Sequence, residues 1–164
     1  MDLERFSTKE LLLAAIRSEI ESKIVYDRLA NGVRNAFLKD RLLFIADEER
    51  KHREYLEGLY AETFKGEKLE VPMRSPVPLP EVKISMRYVP ASTVMVQAME
   101  AEKAASEFYK GLAPRFKGDD MTRSTIEYLS SMEMGHYRLL ELERERLDQE
   151  EVYEIEWELM HAGP

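Results

Sequence analysis

The chain has no cysteine among its 164 residues. That removes disulfides, thiolate-bound iron, iron–sulfur clusters and thiol nucleophiles. Any metal held here has only carboxylate or carbonyl oxygen and imidazole nitrogen to hold it. No apolar run is long enough to span a bilayer, and the opening Met1-Asp2-Leu3-Glu4-Arg5 lacks the apolar centre of a signal peptide. The expected location is therefore the cytoplasm. Positive charge is also short: 24 Lys and Arg stand against 32 Asp and Glu, a net charge of −8. That balance argues against broad binding to nucleic acid or to an anionic membrane. What remains is a chain 44% hydrophobic and 34% charged, the composition and size of one globular domain with a full core.

The pattern along the chain is helical. Ser7-Thr8-Lys9-Glu10 reads as a capping box. Apolar residues then recur at helical spacing from Leu11 to about Ala30, before Asn31-Gly32. A second helical pattern runs from about Asn35 to Phe64, and Gly66 ends it. Pro72, Pro76, Pro78, Pro80 and Pro90 forbid a helix over residues 66–90. Within that stretch Val82, Ile84, Met86 and Tyr88 alternate, as a short extended segment does. A third helix is expected from about Ala91 to Ala113, and a fourth, capped by Asp119 or Asp120, to about Glu150. The tail keeps Val152, Ile155, Trp157, Leu159 and Met160 and is expected to dock.

Short links make antiparallel neighbours of helices one and two, and of three and four. The chain is thus read as a single all-α domain, a four-helix bundle of two hairpins. Hairpin one covers 7–65, a crossover 66–90, hairpin two 91–150, and a C-terminal segment 151–164. The crossover reaches about 80 Å when extended, against about 45 Å for a helix of about 30 residues. It can therefore return the third helix in either sense.

The hairpins repeat one another. Glu19 and Glu102 lie 83 residues apart; Glu49 and Glu133, and His52 and His136, lie 84 apart. Tyr26 and Tyr109 each follow their glutamate by seven. Each hairpin carries one Glu on its first helix and Glu-x-x-His on its second. Residues three apart share a helix face, so Glu49 and His52 address one point, as do Glu133 and His136. The glutamates sit in apolar stripes: Leu12, Ala15, Ile16 and Tyr26 around Glu19; Leu42, Ile45, Ala46 and Leu56 around Glu49; Met95, Ala98, Met99 and Tyr109 around Glu102; Ile126, Leu129 and Leu140 around Glu133. Four carboxylates buried without partners would cost many kcal/mol. Lys23 and Arg53 are the only nearby cations, and both are marginal. Two divalent ions at +4 balance four carboxylates at −4 and two neutral imidazoles. Mixed oxygen and imidazole ligation suits iron or manganese better than calcium. His161 has no matching glutamate and is read as a surface or docking residue. Glu48, Glu100 and Glu107 are read as solvated. Met95, Met99, Met132 and Met134 are read as packing, not haem ligands.

These residues resemble the rubrerythrin branch of the ferritin-like di-iron carboxylate proteins. The pattern Glu19…Tyr26, Ala46-Asp47-Glu48-Glu49-Arg50-Lys51-His52, Glu102…Phe108-Tyr109 and Glu133-Met134-Gly135-His136 carries the likeness over roughly residues 7–145. The resemblance implies a ferritin-like bundle with two irons, manganese being an alternative, and neither haem nor an Fe–S cluster. It implies bridging by Glu49 and Glu133. Glu19 with His52 would complete one metal, and Glu102 with His136 the other. Tyr26 and Tyr109 would lie beside the centre. It implies an oxidoreductase that reduces hydrogen peroxide or O2 with electrons from an external donor such as a rubredoxin or a flavoprotein. Ferroxidase or iron-handling activity, oxygenase action and a purely structural di-metal site are the alternatives. No nucleic acid or membrane partner is expected, and a homo-oligomer, a dimer for instance, is. The chain departs from rubrerythrins in two ways: no rubredoxin domain follows, and Ala105 stands where they carry an extra glutamate. The six-ligand set is equally similar to bacterioferritin, but Arg50 and Met134 do not form the symmetric Met pattern that favours haem there.

Overall fold

A computed structural model describes residues 3–77 and 91–161, with residue 91 and residues 150–161 described by backbone alone. Among these residues there are four α-helices and no strand: α1 (Thr8–Gly32), α2 (Ala36–Thr63), α3 (Ala91–Leu112) and α4 (Asp120–His161), with a 3-10 turn at Ala113–Arg115 before α4. Each start has a local cause. At α1, Ser7 Oγ accepts from the Glu10 amide at 3.2 Å, and the Ser7 amide donates to Glu10 Oε2 at 2.8 Å. That completes the capping box. Asn35 caps α2 by accepting from the Leu38 amide at 3.1 Å. Asp119 caps α4, accepting from the Thr122 amide at 3.0 Å and its hydroxyl at 2.6 Å. Gly118, at φ 90°, makes the turn into that cap in a conformation that L side chains rarely adopt.

α4 runs to His161, not to Glu150 as its charged stretch suggested. Asp148-Gln149-Glu150-Glu151 interrupts the apolar pattern, but glutamate and glutamine are good helix formers, and no Gly or Pro appears before Gly163. The alternating segment Val82–Tyr88, the docking of the tail and the side chain of His161 lie outside what is described.

Packing is closest within each hairpin, α1 against α2 and α3 against α4. Two apolar clusters fill the interior. One holds Leu11, Leu12, Ile16, Leu56, Phe108, Leu112, Ile126 and Leu129; the other holds Leu29, Leu42, Ile45, Met95, Met99 and Leu140. α1 and α4 pass from the first cluster to the second, whereas α2 and α3 pass from the second to the first. The third helix therefore runs in the sense of the second, and the crossover must travel the length of the bundle. Its described part is anchored by Val77, buried in the first cluster, with Leu69 and Val71 packed against it. Every helix leaves one gap between the two clusters, and that gap holds Glu19, Glu49 with His52, Glu102, and Glu133 with His136.

Leu56 lies one turn beyond His52 and is fully buried. Leu56→Ala is expected to cost the metal-free protein about 2–5 kcal/mol, read from the midpoint of urea unfolding.

Candidate metal centre

Six side chains from four helices meet at mid-bundle, each between 1% and 4% exposed. His52 Nδ1 lies 3.0 Å from Glu133 Oε1, 3.6 Å from Glu19 Oε2 and 3.7 Å from Glu49 Oε2. His136 Nδ1 lies 3.1 Å from Glu49 Oε1, 3.3 Å from Glu133 Oε2 and 3.6 Å from Glu102 Oε2. The two imidazoles stack with centroids 5.7 Å apart. Two overlapping sets of donors result: Glu19, Glu49, His52 and Glu133, and Glu49, Glu102, Glu133 and His136, each with its ligand atoms within 4.8 Å of one another. Glu49 and Glu133 belong to both.

The donor atoms are close without being hydrogen-bonded. Glu19 Oε2, Glu49 Oε1, Glu133 Oε1, Nδ1 of both histidines and His136 Nε2 are buried with no hydrogen-bond partner. Buried polar atoms in native proteins are normally satisfied. A bound ion would satisfy the carboxylate oxygens and the Nδ1 of each imidazole. Each Nδ1 lies 3.0–3.7 Å from three carboxylate oxygens, and the donors of each set lie within 4.8 Å of one another, so the residues fit a di-metal group. The two candidate cations do not neutralise the cluster: Lys23 pairs with Asp27, and Arg53 leans towards Glu57 at 3.4 Å.

The tyrosines cross over. Tyr26 of hairpin one donates to Glu102 Oε1 of hairpin two, and Tyr109 of hairpin two donates to Glu19 Oε1 of hairpin one. Both phenols are buried. Burial, and then Glu102 for Tyr26 and Glu19 for Tyr109, push their pKa well above the usual value. They therefore stay protonated donors. With Oε1 occupied, Oε2 of Glu19 and of Glu102 is the atom that faces a histidine.

Without metal, protons must balance the cluster. Burial and the neighbouring Glu49 push Glu19 up to about 8, and burial with Glu49 raises Glu102 well above the carboxylate range. Burial alone would lower His136, but Glu102, Glu133 and Glu49 push it up to about 12. His52 is raised the same way by Glu133, Glu19 and Glu49. Burial would raise Glu49 and Glu133, but the imidazoles and neighbouring carboxyls bring both below the usual range. At neutral pH this describes two imidazolium cations, two carboxylates and two neutral carboxylic acids, with no net charge.

Some buried polar residues escaped the sequence reading. Glu143 is 5% exposed and pairs at 2.9 Å with both Arg41 of α2 and Arg146. Its signal was its place one turn past Leu140 on the apolar stripe, obscured by a run of surface charges. Ser106 and Ser130 share a buried hydrogen bond at 2.9 Å between α3 and α4. Met95 and Met99 are core residues, and Glu100 and Glu107 are exposed. Glu48, read as solvated, is only partly exposed and accepts from Lys51 at 2.7 Å.

Residues 10–143 match the rubrerythrin family model. The chain belongs to the rubrerythrin family. A hypothetical protein from Pyrococcus furiosus is similar in structure: 33% identical, with 90% of this chain and 94% of that one covered, at a TM-score of 0.80. Among curated proteins there is no match. The fold is the all-α, ferritin-like bundle of this family, and the buried carboxylate and histidine cluster of this rubrerythrin family member suggests a di-metal site. No helix among the described residues is long and apolar enough to cross a membrane.

Two outcomes follow. Folding raises the pKa of Glu19 and His136, so their stabilising effect is complete below the ordinary values, about 4.5 and 6.5, and is lost as pH rises through the folded ones. Glu49 and Glu133 act oppositely, but only below the ordinary carboxylate range. Metal-free protein should therefore melt at a lower temperature at pH 9 than at pH 6, while metal loading, which needs deprotonated ligands, should reverse the trend. Calorimetry across that range, with and without metal, checks both halves. Tyr109→Phe removes the hydrogen bond that orients Glu19 and should weaken metal binding about 10–100-fold with unchanged helicity, measured by competition with a chromogenic chelator.

Proposed function

We propose that this rubrerythrin family member is a di-iron oxidoreductase that reduces hydrogen peroxide or O2 with electrons from an external donor. The observation that carries this is the pair of overlapping donor sets sharing Glu49 and Glu133 in a dry core. Glu19 and His52 would complete one ion's ligands, and Glu102 and His136 the other's. Peroxide reduction takes up two electrons and two protons and yields two waters; a bound ferrous pair would supply the electrons, one from each ion. The chain's own side chains do the rest. The apolar clusters on either side exclude water, which strengthens every electrostatic contact inside. Tyr26 and Tyr109 fix the outer carboxylates at Oε1 and keep their own protons, so each carboxylate presents Oε2 inward. Re-reduction by an external donor belongs to this proposal: these 164 residues hold no cysteine for a thiolate-bound iron centre of their own. A rubredoxin or a flavoprotein fits that role.

A second reading, ferroxidase or iron handling, is favoured by one residue. Ala105, one turn after Glu102, leaves the six-donor set that rubrerythrins usually extend with a further glutamate.

The test is anaerobic reconstitution with Fe(II), beside a Glu49→Ala, Glu133→Ala double variant. Two metal ions per chain in the parent and a large loss in the variant are expected. Stopped-flow mixing should then show oxidation faster with peroxide than with O2, and turnover with a reducing partner. Faster reaction with O2 and uptake of many irons per chain would favour iron handling. No tight metal in the parent, or equal binding in the variant, would sink the di-metal reading.

A further inference from the structure

Arg41 of α2 and Arg146 of α4 converge on one oxygen. Glu143 Oε1 lies 2.9 Å from Arg41 Nε and 2.9 Å from Arg146 Nη1. One guanidinium neutralises one carboxylate, so the second leaves a surplus of +1 there, in a chain whose net charge is −8. Neither arginine has another ion-pair partner among the described residues, so both terminal nitrogens of Arg41, and Nε and Nη2 of Arg146, are uncommitted. The three charged side chains line a cleft of about 200 Å³, together with Leu38, Leu147, Phe37 and Asn35. Leu38 is buried in the second apolar cluster and Leu147 packs against it, which gives the cleft a fixed apolar wall. Phe37 is 78% exposed, so its ring still has apolar surface to cover. The cleft lies at the start of α2. There Asn35 takes the Leu38 amide, and the amides of Ala36 and Phe37 have no partner among the described residues. A helix start of this kind adds further partial positive charge.

We infer that this cleft binds a small organic monocarboxylate with a flat apolar body, such as an aromatic acid. The surplus of +1 calls for one negative charge. A carboxylate supplies that, whereas a phosphate monoester at about −1.5 to −2 overshoots it. Guanidinium N–H groups form a planar fork that matches the two oxygens of a carboxylate. Leu38 and Leu147 remove the apolar body from water, and the open face of Phe37 takes a second ring in an offset stack. The volume suits such a ligand, since an apolar cavity of about 150 Å³ holds benzene. The site is separate from the metal centre. Arg41 comes eight residues before Glu49, and Glu143 seven after His136, which is about 10–12 Å along their helices. Leu42, Ile45 and Leu140 are buried over that stretch. A ligand in the cleft therefore touches none of the six metal donors, and its binding does not depend on the metal chemistry. Held by Arg41 and Arg146, it spans the two hairpins where the Arg41–Glu143 pair already joins them. Because that geometry exists only in the folded chain, the ligand stabilises the fold.

The probe is benzoate, titrated into the metal-loaded full chain by calorimetry. Its neutral isostere benzamide tests the charge, and acetate tests the apolar body. Benzoate should bind with a dissociation constant of about 1 mM or tighter, and benzamide and acetate at least about 10-fold more weakly. Arg146→Gln removes the surplus charge but keeps the Arg41–Glu143 pair. Leu147→Trp fills the cleft. Each should weaken benzoate binding at least about 10-fold with helicity and metal content unchanged. Benzoate should also raise the melting temperature of the parent but not of Arg146→Gln. No heat of binding at about ten times the expected constant overturns the proposal. So does benzoate binding that survives both variants, which would place it elsewhere, on the metal ions for instance. Benzamide or acetate binding as tightly as benzoate overturns it as well.

Discussion

Four carboxylates brought into the dry middle of a helical bundle set a condition that the rest of the fold has to meet. An isolated buried carboxylate costs far more than ordinary packing returns, and four together repel as well. The chain meets the condition by bringing +4 of charge to the same point, either as four protons or as two divalent ions. In the protonated form, two imidazoliums balance Glu49 and Glu133, while Glu19 and Glu102 keep their protons. This state is neutral, with each imidazole Nδ1 lying 3.0–3.7 Å from three carboxylates. The apolar clusters above and below act as clamps. Each helix enters the centre from one cluster and leaves into the other, so a shift of any helix along its axis would disturb packing on both sides.

The repeat explains why the centre has two equivalent halves. Each second helix supplies a Glu and a His three residues apart, and only these two glutamates reach both donor sets. Each first helix supplies one outer glutamate. The tyrosines then tie the halves together, because each bonds the carboxylate of the other hairpin. Within a hairpin, packing holds the helices, joined in hairpin two by the buried Ser106–Ser130 hydrogen bond; between hairpins, the contacts include the centre itself, the two crossed phenols and the Arg41–Glu143 pair at 2.9 Å. Loss of the centre would therefore loosen the fit of one hairpin on the other before it unfolds either one.

Much of this was visible in the sequence, for a physical reason. Helices carry their periodicity locally, and a glutamate in an apolar stripe violates that periodicity, so Glu19, Glu49, Glu102 and Glu133 stood out without any structure. The capping box at Ser7 was equally local. What the sequence could not show was non-local. The crossover length permitted either direction for α3, and only its register against the two clusters settles that α3 runs with α2. The crossed bonding of Tyr26 and Tyr109 depends on which hairpin lies across from which. The length of α4 was misjudged because loss of apolar periodicity was taken as loss of helix, although Asp148–Glu151 holds nothing that breaks one. Glu143 was hidden because its partners, Arg41 and Arg146, come from two different helices.

Charge counting also bears on which reaction this centre favours. Four carboxylates and two neutral imidazoles cancel a pair of divalent ions and leave a surplus of two when both ions become trivalent. A fifth carboxylate at position 105 would halve that surplus; Ala105 leaves it whole. With two irons bound as proposed, exogenous anions would have to carry the balance, and they would be more exchangeable than a side chain on α3. In the proposed di-iron centre, the stability of the oxidised state would then depend on the anion it holds. The same centre would also give an oxidised ion a less secure hold than a five-carboxylate centre. That charge balance would separate the two proposed readings, peroxide reduction and iron handling, and it rests on one alanine one turn beyond Glu102.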